Sequence, residues 1–418
     1  MVACRLWVDQ HGQAHQAIRK FGTMTADLEA LAAWLAEVGC TDVVLESTGI
    51  YWRPILNILD GRFTLWVVNA KHVKHVPGRK TDVKDAEWLA QLLQQGLLQP
   101  SFLPPRAQRE LRELVRHRQS LVDDRTRIAN RVQKVLEDAN LKLAAVVGDI
   151  QGVSAQAILH ALLAGEQDPQ VLADLARGKL RQKRAQLEQA LVGRLQEYHR
   201  FLLTHLLSHL DFLDEEIGAV EAQLEALVAR VPELAETVER LDTIPGVSWC
   251  VAVLIVAEVG LNLERFPTDR HLTAWAGLAP GNNETGGKQR PTTTRKGNRY
   301  LRRGLVQAAH GAARTRDSYF KALYHRIARR RGKQRAAVAV ARSILQVAYH
   351  MMRRKETYRE LGADYFDQLD RERTTKRLVR RLERLGYSVK LSAGQAGPAP
   401  ESRAPSQGFA QAHTLAFS

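Results

Sequence analysis

A chain of 418 residues with 45% hydrophobic content is long enough for about two or three domains with sizeable cores. Lys and Arg number 61 against 45 acids, a formal net charge of +16, which points to a polyanionic partner, most simply nucleic acid. Cys4, Cys40 and Cys250 are too scattered for a structural zinc site, no apolar run reaches membrane-spanning length, and the N-terminus lacks a signal-peptide core, so a soluble cytoplasmic protein is expected.

Residues 2–8 read as a strand, with 16–21 as its hairpin partner across Asp9-Gln-His-Gly12. A helix is expected from Thr25 or Asp27 through Leu28, Leu31, Trp34 and Leu35. A short buried strand follows over 42–46, then a turn into a helix carrying Ile55, Leu56 and Leu59, then a strand over 63–68. Strands alternating with helices predict a mixed α/β domain over 1–103. After the basic loop 71–80, a helix opens at Thr81 or Asp82. Asp82 and Asp85, three apart, project from the same face of it. Two carboxylates that close repel unless a cation sits between them, and a hard divalent ion such as Mg²⁺ suits oxygen ligands. The simpler reading of this stretch is a capped helix start, because acids in a first turn suit the helix dipole. Glu46 closes an apolar strand, where open α/β sheets form their sites. A strand-end Glu with two helix Asp is what metal-assisted phosphoryl transfer needs, although Glu46 alone reads as a solvated strand terminus.

Pro104-Pro105 ends this region, and a helical middle is expected over 104–236. Leu114, Leu121, Ile128 and Val135 recur every seven residues, with Leu111, Arg118, Arg125 and Val132 as companions. Two arginines in a seam suggest an exposed or anion-facing stretch. A second long helix is expected over 184–231 from Leu206, Leu210, Leu213, Ile217, Val220, Leu224, Leu227 and Val231. Antiparallel pairing, dimerisation and an ordinary bundle all remain open.

A C-terminal region over 237–361 starts with Thr243-Ile-Pro245-Gly246 before an apolar helix, in the manner of a helix-hairpin-helix. Such a turn presents backbone N–H groups to a phosphate. It also reads as a common turn between helices. Residues 288–303 hold Lys288, Arg290, Arg295, Lys296, Arg299, Arg302 and Arg303 and no acid, next to Gly286 and Gly287. Glycines allow close approach to phosphate and the charge would hold a strand there, so DNA binding is expected of these residues and of Pro245 and Gly246. A basic helical extension over 362–390 and a disordered Ala/Gly/Pro/Ser tail over 391–418 complete the chain.

Leu45-Glu-Ser-Thr-Gly-Ile-Tyr-Trp52, Gly78-Arg-Lys-Thr-Asp-Val-Lys-Asp-Ala86 and the segment 271–303 together resemble DEDD-type insertion-sequence transposases, the group that includes Piv-like invertases. The resemblance implies a RuvC-like, ribonuclease H-like N-terminal domain and a C-terminal transposase domain. It implies Mg²⁺ held by Glu46, Asp82 and Asp85. It also implies a hydroxyl nucleophile at the position of Thr285, where the family has Ser, forming a covalent link to DNA. The family's first Asp lies on a strand preceding the equivalent of 2–8, so this domain is expected to lack that strand and its ligand. The resemblance further implies DNA ends and target as partners, an element-encoded guide RNA, and a homo-oligomer that brings the acids and the hydroxyl together. No phosphate-binding Gly-x-x-x-x-Gly-Lys loop is present, in keeping with chemistry that needs no ATP. Two alternatives stand beside it: a RuvC-like metal-dependent nuclease using water, and a catalytically inactive DNA- or RNA-binding remnant.

Overall fold

The computed structural model describes residues 1–47, 49–69, 81–281 and 293–392, and the backbone of 284–285 and 288–289. The chain divides into two units, Met1–Leu111 and Arg112–Ser418.

In the first unit, β1 (Val2–Val8) and β2 (Ala14–Lys20) pair antiparallel, from Val2 opposite Lys20 to Val8 opposite Ala14. Asp9 sets the turn: its Oδ1 accepts from the backbone N–H of His11 and Gln13, both at 2.9 Å, and Gly12 takes φ +80°. Next, α1 (Thr25–Ala36) buries Leu28, Leu31, Trp34 and Leu35. Then β3 (Asp42–Glu46), α2 (Trp52–Leu59) and β4 (Thr64–Val68) form a crossover in which β3 and β4 pair in parallel. Phe21, Leu31, Trp34, Leu35 and Leu59 make the core. The final helix of this region, α3 (Asp82–Gln94), packs against both β1 and β3. Among the described residues no ladder joins the two strand pairs, so the sheet is two ribbons and each of β1 and β3 has one edge without a strand.

The second unit is helical. After α4 (Arg106–Asp138), which begins in the first unit, come α5 (Leu143–Val146), α6 (Val153–Leu163), α7 (Pro169–Asp174), α8 (Arg184–Ala190) and α9 (Glu197–Ala229). Helices α4 and α9 run antiparallel: Asp138 meets Tyr198 and His199, Arg125 meets Asp214, and Arg118 Nε donates to Glu221 Oε1 at 2.7 Å. The seam arginines therefore do face anions, but those anions are the chain's own carboxylates. The expected seven-residue seam is also corrected. Ile128, Val132 and Leu136 are the buried positions of the second half of α4, followed by Ala139 just past its end, while Leu121 and Val135 are only half-buried. Steps of four and three that change face suit a bundle closed by the short helices α5–α8, whose Leu143, Ile158, Leu172 and Leu187 fill its interior.

The single helix expected over 184–231 is two. It stops at Ala190 and restarts at Glu197, because the chain between docks on the end of α4. Lys142 N–H donates to the Ala190 carbonyl and Arg194 N–H to the Ala139 carbonyl, both at 2.8 Å. A side chain at Gly193 would meet the Ala139 carbonyl oxygen at 2.7 Å. Val231, expected in the seam, is exposed beyond the helix end.

The remaining helices are α10 (Pro232–Asp242), α11 (Trp249–Val259), α12 (Asp269–Trp275), α13 (Arg299–Ala312), α14 (Tyr319–Arg331), α15 (Lys333–Arg354), α16 (Tyr365–Leu369) and α17 (Arg371–Arg384). Between α12 and α13 lie the two-residue strands β5 (Glu284–Thr285) and β6 (Lys288–Gln289). The centre is α15, which buries Val340, Ile344, Leu345 and Ala348 and packs against α10, α12, α13 and α14. From Ala252 to Val259 every residue of α11 is buried. The tail beyond 392, expected to be disordered, lies outside the described residues.

Candidate catalytic and nucleic-acid-binding sites

Glu46 is the last residue of β3, opposite Val68, and Ser47 N–H donates to the Val68 carbonyl at 2.9 Å. It is half-buried at the C-terminal edge of the parallel pair. Asp82 and Asp85 stand exposed in the first turn of α3, whose N-cap is Thr81, with its Oγ1 accepting from Lys84 N–H at 3.4 Å. The free N–H groups of that turn favour negative charge. Because α3 packs against β3, the helix with two of the acids lies on the strand that ends in the third. The three do not close into one cage: among the described residues no group of three His, Cys, Asp or Glu is placed to hold a metal ion. The Asp pair still fits a hard cation, since Mg²⁺ is commonly held by one or two carboxylates with water and substrate phosphate completing its shell.

Thr285 lies on β5 opposite Lys288 on β6, with Glu284 opposite Gln289. Gly286, Gly287 and Arg290 lie outside the described residues. The base of this hairpin is fixed by its flanks. Pro280 bridges Thr294, and Gly281 N–H donates to the Thr293 carbonyl at 3.2 Å. Below them Gly277, at φ +73°, lies so close to Gly297 that a Cβ on Gly277 would be 2.8 Å from the Gly297 nitrogen. Two glycines thus let the chain leave and return at one point on either side of the Thr285 segment.

The basic residues divide into two sets. Arg295, Lys296 and Arg299 are exposed, and Arg299 donates from Nη2 to the Tyr300 hydroxyl at 2.7 Å. Arg302 and Arg303, also expected to meet DNA, have partners in the chain, Arg302 half-buried and Arg303 exposed. Arg302 Nη1 donates to the Gly277 carbonyl at 3.2 Å, and Arg303 pairs with Asp123 of α4. That hydrogen bond holds the Asp123 carboxyl below the usual carboxylate range. Asp123 is far from Arg303 in sequence, so the acid-free run 288–303 gave no sign of it. Pro245 and Gly246 form the turn between α10 and α11. Gly246, at φ +84°, packs its α-carbon on the α13 backbone, where a Cβ would collide with the Ala308 carbonyl and the Ala312 N–H. Packing alone accounts for this glycine.

Sequence reasoning missed the group that holds the N-terminus of α13. Glu258, in the apolar α11, is fully buried and receives Arg116 Nε and Nη2 at 2.8 and 2.9 Å. Asn298 Nδ2 donates to it at 2.7 Å, while Asn298 Oδ1 caps α13 by accepting from Tyr300 and Leu301 N–H, both at 3.1 Å. The Arg116 guanidinium lies 4.6 Å from the centre of the Tyr300 ring, and that of Arg299 4.7 Å. One acid inside the apolar run 250–259 was the available signal.

With this geometry in place, comparison with known proteins is informative. A DEDD IS110-type model, described as Transposase, matches residues 3–141, and the Transposase IS116/IS110/IS902 family model matches residues 238–325. The chain is 27% identical over 332 residues to the transposase for insertion sequence element IS1111A of Coxiella burnetii, covering 77% of this chain and 80% of that one. It is 26% identical over 329 residues to a probable family 20 transposase of Pseudomonas aeruginosa, covering 76% and 85%. It is 30% identical over 303 residues to the insertion element IS110 uncharacterized 43.6 kDa protein of Streptomyces coelicolor, covering 66% and 72%. The DEDD domain implies a ribonuclease H-like fold, of which the described residues show the two strand pairs β1–β2 and β3–β4, and a domain class that typically uses divalent metal. The two matched regions hold the Glu46–Asp82–Asp85 acids and the Thr285 hairpin respectively, and the chain belongs to the IS116/IS110/IS902 family of insertion-sequence transposases.

Proposed function

We propose that this transposase acts on the ends of its element with Asp82, Asp85 and Glu46 as the acids of the DNA-cutting site and Thr285 as nucleophile. The observation that carries the reading is the placement of the acids: two exposed carboxylates on one helical turn, on a helix packed against the strand that ends in the third. A bound Mg²⁺ ion would supply neutralisation of phosphate charge there. In the attack, the Thr285 Oγ–P bond forms and the phosphodiester's bond to one deoxyribose oxygen breaks. The hydroxyl proton passes to the departing oxygen through solvent. The ester formed keeps the energy of the bond broken, so rejoining needs no nucleotide cofactor. The γ-methyl of Thr285 restricts χ1 and makes the in-line approach harder than for Ser. Arg295, Lys296 and Arg299, exposed at the hairpin base, would neutralise backbone phosphates of the bound end. The net charge of +16 suits an element-encoded guide RNA as a second partner, and a homo-oligomer would let acids and hydroxyl from different copies share a site.

The test is cleavage of labelled element-end DNA, with the guide RNA, across a Mg²⁺ titration. Asp82→Asn and Asp85→Asn should each lower the rate by more than about tenfold with end binding intact, and the double variant should respond no further to metal. Cleavage insensitive to both substitutions would reject these acids as the site.

A further inference from the structure

The hairpin tip between α14 and α15 is a basic surface outside the family match, which ends at residue 325. Arg331 closes α14, Gly332 at φ +86° is the sole linking residue, and Lys333 opens α15. Arg329, Arg330, Lys333 and Arg335 are all exposed here. No acid occurs between Asp317 and Glu356. Among the described residues none of these four has a carboxylate partner. Four arginines of α4 and α13 differ: Arg116 pairs with Glu258, Arg118 with Glu221, Arg125 with Asp214 and Arg303 with Asp123. The cations at the end of α14 suit its dipole, but Lys333 and Arg335 sit in the first turn of α15, where the dipole opposes positive charge and no acid offsets it. Four like charges gathered at one tip, two of them against a helix dipole, raise the free energy of the isolated chain, and an external polyanion lowers that cost.

We infer that the α14–α15 tip is a second nucleic-acid contact, gripping the phosphate backbone of duplex DNA through residues distant in sequence from Thr285. The side chains present decide among polyanions. Residues 326–335 contain no Phe, Tyr or Trp, so the tip has no platform for the unstacked bases of a single strand. Ile327, the only large apolar residue among them, is half-buried, so the tip also lacks the apolar face that a membrane-surface helix needs. Contacts of this kind position a duplex without reading its sequence. The inference rests on the DNA-binding reading above and adds a separate surface to it.

The experiment is a salt titration of binding by the full chain to two duplexes, one of element-end sequence and one scrambled. The variant Arg329→Gln/Arg330→Gln/Lys333→Gln/Arg335→Gln is compared with Arg295→Gln/Lys296→Gln/Arg299→Gln, and thermal melts confirm that both fold. Each phosphate contact contributes about −0.9 to the slope of log K against log salt. The tip variant should therefore lose up to about 3.6 in slope, equally on both duplexes. An unchanged slope for the tip variant, with a reduced slope for the other, overturns the tip contact and leaves the DNA reading standing. No salt-dependent binding by the unsubstituted chain overturns both. The same titration is run on a hairpin RNA and on vesicles of anionic lipid, and a loss confined to either overturns duplex DNA as the partner.

Discussion

Glu258 is the only carboxylate among the buried described residues, and it holds together three helices. Arg116 comes from α4, Glu258 from α11 and Asn298 from the cap of α13. Removing one partner of such a group leaves buried charge uncompensated, which is far costlier than replacing the group with apolar side chains. Glu258→Ala should lower unfolding free energy by about 3–5 kcal/mol in urea denaturation, with Glu258→Gln losing less because its amide oxygen still accepts from Arg116. At this scale the sequence was legible where chemistry is local. Glu46 at a strand end and Asp82 with Asp85 three apart on a helix were readable because strand and helix periods place them. Arg302 and Arg303 were not, since their partners Gly277 and Asp123 are brought near only by the fold.

Two elements owe their geometry to packing that local pattern does not encode. The turn at Gly246 reads either as a phosphate-binding hairpin or as a common turn between helices, and neither reading shows that its α-carbon is pressed on the α13 backbone. Backbone atoms cannot swing aside, and φ +84° is strained for any L side chain. Gly246→Ala should therefore cost about 1–3 kcal/mol in thermal or chemical denaturation. Gly12→Ala should cost less, because its positive φ is matched by open space. The break between α8 and α9 is similar in kind. The segment 191–196 contains Gly193 and docks on the end of α4, where the helix is interrupted. On α15, burial lowers the His350 pKa below 6.5, with Asp269 opposing the shift and Arg354 and Arg353 adding to it. The unfolded chain then binds more protons between the folded value and 6.5. The neutral ring's contribution is complete above pH 6.5 and is lost as pH falls toward the folded value. His350→Gln should show a smaller drop in Tm than the unsubstituted chain between pH ~7 and ~5.5 in melts at fixed ionic strength.

For the molecule as a whole, charge distribution connects structure to function. The chain holds 61 basic residues against 45 acids. Arg116, Arg118 and Arg125 of α4 and Arg303 of α13 are paired with the chain's own carboxylates, while Arg295, Lys296, Arg299 and the four cations of the α14–α15 tip keep exposed charge without one among the described residues. No helix among the described residues is long and apolar enough to cross a membrane. A polyanionic partner was thus legible from composition, while the internal pairing of Arg116, Arg118, Arg125 and Arg303 was not. The mixed α/β start and helical remainder were also legible, because alternating strand and helix signals are local. The separation of β1–β2 from β3–β4 was not, since strand pairing depends on distant edges. The central claim is that Thr285 attacks DNA. Its most direct measurement is a denaturing gel of the full chain incubated with end-labelled element DNA, guide RNA and Mg²⁺, comparing the unsubstituted chain with Thr285→Ala and Thr285→Ser. The account predicts a protein–DNA adduct that disappears in Thr285→Ala and increases in Thr285→Ser, whose hydroxyl is less crowded. Free cleaved ends without any adduct, and undiminished in Thr285→Ala, would contradict it and identify water as the nucleophile.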